Sequence, residues 1–140
     1  MPKDPNGLNN LTASELANFY GSESYARHWT KKIVMTDGAQ FVDANGCGWL
    51  LDIVASYQNE ELHKKADGFQ SWKLRELKGD KDFAAVVTCD DGNDHILVEQ
   101  KIPFTDFPFS QLPNGLDFYV EYGSLDGKTP CQICMLPSER

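Results

Sequence analysis

The chain has 140 residues, of which 41% are hydrophobic and 24% are charged, as expected for one globular domain without stabilising disulfides. Its net charge is −8, unevenly placed: residues 1–79 hold 9 Lys and Arg against 10 Asp and Glu, whereas residues 80–140 hold 4 against 11, a net −7. Such an acidic second half disfavours nucleic acid as a partner, because it repels phosphates.

The start of the chain and its most apolar stretch bear on location. Residues 1–10 predict a loose polar arm, without the apolar core of a signal peptide. The stretch "CGWLLDIVASY" is too short to span a membrane and contains Asp52. We therefore expect a cytoplasmic protein with no membrane partner, in which the four cysteines are reduced.

Residues 11–68 predict three helices, and between the first and the second, residues 21–35 predict a loop that leads to a short extended piece. A capping box that begins at Thr12 starts the first helix, which we expect to end at Gly21. The stretch "TDGAQFVDANG" predicts the second helix, with Asp37 as its N-cap. In "CGWLLDIVASYQ" the apolar residues recur with the period of a buried helical stripe, and this third helix is expected to continue toward Gly68.

Residues 70–137 change to the alternating pattern of β-strands. Four strands are predicted by "SWKLREL", "FAAVVTCD", "HILVEQKI" and "LDFYVEYGS", and a fifth by "GKTPCQICML". The "DDGND" stretch predicts a hairpin turn. The order of elements predicts a single α+β domain over residues 1–140, with three N-terminal helices packed on one face of a four- to five-stranded antiparallel sheet.

Six blocks of the sequence carry a resemblance: "YARHW", "MTDGAQFV", "WLLDIVASYQ", "FQSWKL", "IPFTDFP" and the terminal "LPSER". Together they resemble a family of small uncharacterised bacterial proteins whose members also occur on phages and plasmids. The blocks run in order between residues 19 and 140, over most of the chain. The resemblance implies a single compact unit in a mobile-element setting, and it implies no catalytic residue.

Cys131 and Cys134 have the C-x-x-C spacing of some metal and redox sites. On a strand, their Cα atoms would lie about 10 Å apart on opposite faces, too far for a disulfide. A zinc site would need further ligands, for instance Cys47, Cys89 or a histidine. We expect structural cysteines and no metal or cofactor.

The sequence also lacks local motifs for catalysis. The three histidines have no metal-ligand spacing, and no activated nucleophile or phosphate-binding loop is present. We therefore expect a protein that is not an enzyme. The alternative is a small enzyme or metal-binding protein whose site is assembled in space, which a polar pocket gathering several of Asp37, Asp52, His28 and His63 would indicate.

Residues 25–32, "YARHWTKK", interleave aromatic and cationic side chains. This pattern suits a platform for single-stranded nucleic acid, so that function is a second alternative. Because the chain is acidic, we expect instead that Trp29 is buried and that the cations are exposed.

The favoured function is a non-enzymatic protein-binding module. In "KIPFTDFPFSQLPNG", three prolines predict a stiff connection, which carries Phe104, Phe107 and Phe109 beside Asp106. Either the phenylalanines cover the core, or one or two of them face outward and anchor a partner. The partner-binding residues of this hypothesis are Phe104, Asp106, Phe107, Phe109, Asp90, Asp91, Asp94, Glu99, Asp117 and Glu121.

The acidic members of that set suggest what kind of partner is bound. An acidic face would attract an unidentified protein with a basic surface, and it could imitate the spacing of phosphates. Together with the mobile-element setting, this suggests an inhibitor of a host defence or nucleic-acid-handling complex.

Overall fold

Residues 10–140, the part of the chain that the computed structural model describes, form a seven-stranded sheet and four α-helices; the predicted arm lies outside them apart from Asn10. The helices are α1 (Ala13–Leu16), α2 (Asp37–Val42), α3 (Gly48–Ser56) and α4 (Glu60–Ala66). The strands are β1 (Ala26–Arg27), β2 (Val34–Met35), β3 (Phe69–Glu76), β4 (Ala85–Asp90), β5 (Ile96–Ile102), β6 (Leu116–Gly123) and β7 (Cys131–Met135).

The strands lie in the order β1-β2-β7-β6-β3-β4-β5. Strands β2 and β7 are parallel, and every other neighbouring pair is antiparallel. In the centre, Trp72 lies opposite Phe118 on one side and Cys89 on the other. All three side chains are buried, so this register places the core on one face of the sheet.

The α+β class is confirmed, but the predicted arrangement of three N-terminal helices on a four- to five-stranded antiparallel sheet is wrong. The sheet is mixed because β1 and β2, from the part predicted to be helical, join it through β7. Each has two residues, too few for an alternating pattern to show in the sequence. The helices lie mostly in the middle of the chain, with α2, α3 and α4 between Asp37 and Ala66.

The helix boundaries also differ from the predicted ones. Thr12 caps α1 as predicted, accepting a hydrogen bond from the Glu15 N–H, but this helix has only four residues. The predicted third helix is two helices, because the Asn59 side chain accepts from the Leu62 N–H at 2.9 Å and starts α4 anew. At α2 the cap is Thr36 instead of Asp37.

The C-terminal turn fastens α2 to the sheet. The Glu139 carboxylate accepts hydrogen bonds from the Gly38 N–H at 2.9 Å and from the Thr36 hydroxyl at 2.6 Å. A Cβ at Gly38 would lie 2.4 Å from this carboxylate, so a larger residue there would displace the Glu139 side chain. None of the helices in residues 10–140 combines the length and apolar composition needed to cross a bilayer.

Strand directions define two ends of the sheet. At the Gly68 end, β2, β3 and β7 begin and β6 ends. At the Phe104 end, β3 and β5 end and β4 and β6 begin. The eight residues of β3 separate the two ends by about 26 Å at the usual rise per residue.

Candidate partner-binding site

The connection between β5 and β6 contains phenylalanines that cover the core and one that faces outward. Phe104 is 86% exposed, whereas Phe107 is 4% exposed and belongs to the core. Phe109 packs against that core, with its ring centroid 4.8 Å from that of Phe107. Phe107 is therefore not accessible to a partner, and Phe104 is the phenylalanine that faces outward.

Phe104 borders an apolar cavity at the Phe104 end of the sheet. The cavity has a volume of about 560 Å³. Its lining residues are Trp49, Ile102, Phe104, Thr105 and Asp106. This volume lies in the range of pockets that hold drug-sized ligands, and the carboxylate of Asp106 is the charged group on its wall.

Hydrogen bonds and one glycine hold the connection in place. The Thr105 hydroxyl accepts from the Phe107 N–H at 3.1 Å, and the Pro108 carbonyl accepts from the Leu112 N–H at 2.9 Å. Gly115 has φ of +77°, and a Cβ there would lie 1.7 Å from the carbonyl oxygen of Leu74. The chain can close back onto the sheet only with glycine at this position.

The acidic residues predicted with Phe104 do not form one acidic face. The Asp90 carboxylate is buried, 3.3 Å from the Lys73 ammonium group. The carboxylates of Asp117 and Glu121 each lie 2.6 Å from a guanidinium nitrogen, of Arg75 and Arg140 respectively. These three carboxylates are therefore paired with cations.

The remaining predicted acidic residues lie apart from Phe104. Asp91 and Asp94 are in the β4–β5 hairpin turn, and Asp91 accepts from His95 Nδ1 at 2.8 Å. This contact lowers the pKa of Asp91 and raises that of His95. Glu99 is exposed in the middle of β5. Of the predicted acidic set, Asp106 is the residue that lines the Phe104 cavity.

Two of the four residues expected in a spatially assembled catalytic site do meet. His28 Nε2 lies 2.8 Å from Asp52 Oδ1, and the Trp29 indole N–H donates to the same oxygen at 2.8 Å. The other ring nitrogen of His28 lies 2.9 Å from the Thr30 hydroxyl. The His28 side chain is 1% exposed and has no access to a substrate. The pair therefore serves to attach residues 25–32 to α3.

The other two residues lie elsewhere. Asp37 accepts hydrogen bonds from Ser24 and from the Glu23 N–H, which lower its pKa. His63 contacts Gln58, with 2.9 Å between Nε2 and Oε1. Within the described part of the chain, no group of three or more His, Cys, Asp and Glu side chains is placed to hold a metal ion.

Trp29 is 75% exposed, so the prediction that it is buried is wrong. The bond from its indole N–H to Asp52 ties the ring to the surface of α3. Tyr25, from the same segment, is 45% exposed. No local signal in the sequence indicated the Asp52 partner, which is 23 residues away from Trp29.

Three of the four cysteines, Cys47, Cys89 and Cys134, are buried in the core, and Cys131 is partly buried. Cys131 and Cys134 are on β7, the predicted strand, and all four cysteines are free thiols. Burial raises the pKa of Cys89 to about 12, and burial together with the nearby Asp106 raises that of Cys47 to about 12. Burial also raises the pKa of Cys134. Such thiols stay protonated near neutral pH and are poor nucleophiles and metal ligands.

The chain belongs to the family of unknown function DUF6876, whose sequence profile matches residues 10–140. Comparison with curated proteins and with solved structures gave no match. The family brings no assigned activity, and the bacterial, phage and plasmid distribution stays a prediction.

Proposed function

We propose that this member of the DUF6876 family is a non-enzymatic protein-binding module whose partner docks at the Phe104 end of the sheet. The observation that carries the proposal is the 86% exposure of Phe104 beside a cavity of about 560 Å³. Trp49 and Ile102 extend the apolar surface around it. An aromatic side chain next to an apolar recess is the arrangement found at the centre of binding hot spots.

The energetics favour docking on this surface. Full burial of an exposed phenylalanine contributes about 1.5–3 kcal/mol. The connection that carries Phe104 is already ordered by the turn at Thr105 and by the closure at Gly115. A partner would therefore lose little of its binding free energy to the ordering of this loop.

The charges indicate the chemistry of the partner. The chain carries a net charge of −8, and Asp106 borders the cavity. We infer a protein that inserts an apolar side chain beside Phe104 and presents a cation to Asp106. Because long-range attraction steers such a partner, its association should slow as salt is added. That this partner is a host defence or nucleic-acid-handling complex stays a prediction.

The test is affinity capture from a native host lysate with Phe104→Ala and a matched control. Tyr20 is 84% exposed, so Tyr20→Ala removes a comparable aromatic group from another part of the surface. We expect the unaltered protein and Tyr20→Ala to capture the same protein, and Phe104→Ala to lose it without a change in melting temperature. Equal capture by Phe104→Ala would exclude this surface as the docking site.

A further inference from the structure

A groove runs along the Gly68 end of the sheet beside α4. It consists of two adjoining cavities, of about 590 and 240 Å³, that share His63, Tyr122 and Gln132 in their walls. The sheet topology creates it, because the starts of β2, β3 and β7 and the end of β6 meet at one end. Segments far apart in sequence thereby line one surface.

The smaller cavity is cationic. Arg27, Lys31 and Lys32 line it, and none of the carboxylates in the described part of the chain does. Lys64 lines the larger cavity. Among residues 10–140, none of these four cations lies within ion-pairing distance of a carboxylate, unlike Lys73, Arg75 and Arg140 on the sheet. Within the described residues, these four cations thus surround one groove without forming ion pairs, and the carboxylates of Glu60 and Asp67 line its larger cavity.

Backbone geometry presents two of these lysines together. The Lys31 N–H donates to the carbonyl of His28 at 2.8 Å, and Lys31 has φ of +66°, which is uncommon for a residue with a side chain. The His28–Asp52 contact fixes the base of this turn on α3. The segment is therefore held in a costly conformation that brings Lys31 and Lys32 to the same cavity.

The larger cavity has a different chemistry. Tyr122, 60% exposed, supplies an aromatic surface, and Gln132 supplies an amide. Glu60 and Asp67 add two carboxylates, which accept hydrogen bonds from hydroxyl and amino groups. Tyrosine rings stack on nucleic-acid bases, which strengthens the binding of single strands.

His63, at the junction of the two cavities, has a fixed tautomer. Gln58 donates through Nε2 to the Val54 carbonyl at 3.0 Å, so its Oε1 is the atom that faces His63 and can only accept. His63 Nε2 therefore carries a hydrogen, and in the neutral ring Nδ1 is left as an acceptor. Gln70 completes the network by donating to Gln58 Oε1 at 2.9 Å.

We infer that this groove binds a nucleotide, with its phosphate beside Arg27, Lys31 and Lys32 and its base and sugar beside Tyr122. The phosphate would meet unpaired cations, and sugar hydroxyls or base amino groups would meet the carboxylates of the larger cavity. An acidic peptide fits less well, because Glu60 and Asp67 would repel its carboxylates.

The exposed carboxylate of Glu99 is too distant to oppose this binding. Strand β5, which carries Glu99, lies four strand spacings from β7, or about 19 Å at the usual separation. That distance is about two Debye lengths at physiological ionic strength, so the repulsion is largely screened. This chemistry has two sources, a free nucleotide and a nucleotide within a single strand, and the test separates them.

The test measures binding at physiological ionic strength to two probes. One is the set of four ribonucleoside 5′-monophosphates, followed by calorimetry, and the other is labelled mixed-sequence single-stranded DNA and RNA, followed by fluorescence anisotropy. Binding of the monophosphates indicates a small-molecule site, and binding of the oligonucleotides alone indicates a single-strand site. Absence of binding to every probe overturns the proposal.

Matched variants locate the binding. Lys64 and Lys65 are neighbours on α4, but Lys64 lines the groove whereas Lys65 pairs with Glu61. We expect Lys64→Ala to weaken binding by about threefold or more, and Lys65→Ala by less than about twofold. For oligonucleotides, the Lys31→Ala, Lys32→Ala double variant should lower the slope of log affinity against log salt by about 0.7 per lost phosphate contact.

The aromatic contact distinguishes a nucleotide from any other anion. Tyr122→Ala should weaken binding by about fivefold or more, and Tyr20→Ala should leave it unchanged. Polyglutamate should compete poorly. Equal effects of Lys64→Ala and Lys65→Ala, an inert Tyr122→Ala, or competition by polyglutamate as strong as that by the oligonucleotide would each overturn the nucleotide assignment.

Discussion

The two ends of the sheet have opposite surfaces. The Gly68 end gathers Lys31, Lys32 and Lys64 around a polar groove, whereas the Phe104 end presents an apolar cavity with Asp106 at its wall. The net charge of the sequence does not predict this difference between the two ends. The local electrostatic character depends on which charges form ion pairs. Carboxylates on β4 and β6 pair with Lys73, Arg75 and Arg140, whereas the described cations of the groove form no such pairs.

The ends also differ in how they are held. At the Phe104 end, apolar packing and a glycine fix the chain, and at the Gly68 end a network of side-chain amides does so. Since the ends are about 26 Å apart, substitutions at one should not affect the other. The following predictions test this difference, beginning with the largest effect.

Within one connection, Phe107→Ala and Phe104→Ala should have very different costs. Phe107 is 4% exposed, so its truncation leaves a cavity in the core and should lower the free energy of unfolding by about 3–5 kcal/mol. Phe104 is 86% exposed, and its truncation should change stability by less than about 0.5 kcal/mol. Urea unfolding measures both, and similar costs would mean that the two rings do not have the environments described.

A glycine pair tests the closure at the Phe104 end. Gly115 and Gly127 have nearly the same backbone conformation, with φ of +77° and +75°. Gly127→Ala should cost about 1 kcal/mol, because nothing lies near its Cβ and only the backbone is strained. Gly115→Ala should cost about 2–4 kcal/mol, because its Cβ would also meet the Leu74 carbonyl. Equal changes in urea midpoint would contradict this account of the closure.

The sequence predicted the part of the fold that follows local rules. Strands β3 to β7 and the cap at Thr12 were predicted because their signals, an alternating apolar pattern and a capping residue, involve only residues close together in the sequence. A short extended piece was predicted within residues 21–35, but that β1 and β2 join the sheet was not, because their pairing with each other and with β7 is a tertiary contact. The same limit applied to Trp29, whose indole N–H donates to Asp52, a residue distant in sequence.

The candidate sites, too, depend on contacts between residues that are distant in the sequence. The stiff connection with Phe104 was identified from its prolines, but which phenylalanine faces outward depends on packing against distant elements. The groove was not predicted at all, since Arg27, Lys64 and Tyr122 meet only through the order of strands and the position of α4. Interleaved cations and aromatics in residues 25–32 were the one local signal of it.

The smallest expected effect is a pH dependence at the Gly68 end, arising from His63. Burial, with a further contribution from the positive charge of Lys32, lowers the pKa of His63 from its ordinary 6.5. The other charged residues that line the cavities around it are Arg27, Lys31, Lys64, Glu60 and Asp67. Below the unfolded pKa, the unfolded chain takes up this proton more readily than the folded one, so stability should fall as pH decreases through 6.5.

His63→Gln isolates this contribution. A glutamine amide can still donate to Gln58 Oε1 in place of the imidazole Nε2–H, but it does not titrate. The difference in unfolding free energy between the unaltered protein and His63→Gln should therefore decrease from pH 7.5 to pH 5. One whole proton limits the slope to about 1.4 kcal/mol per pH unit, and because the ring is only partly buried the observed slope should be well below that. A constant difference across this range, or one that increases as pH falls, would mean that folding does not disfavour protonation of His63, and the amide network would then not hold a neutral ring between the two cavities.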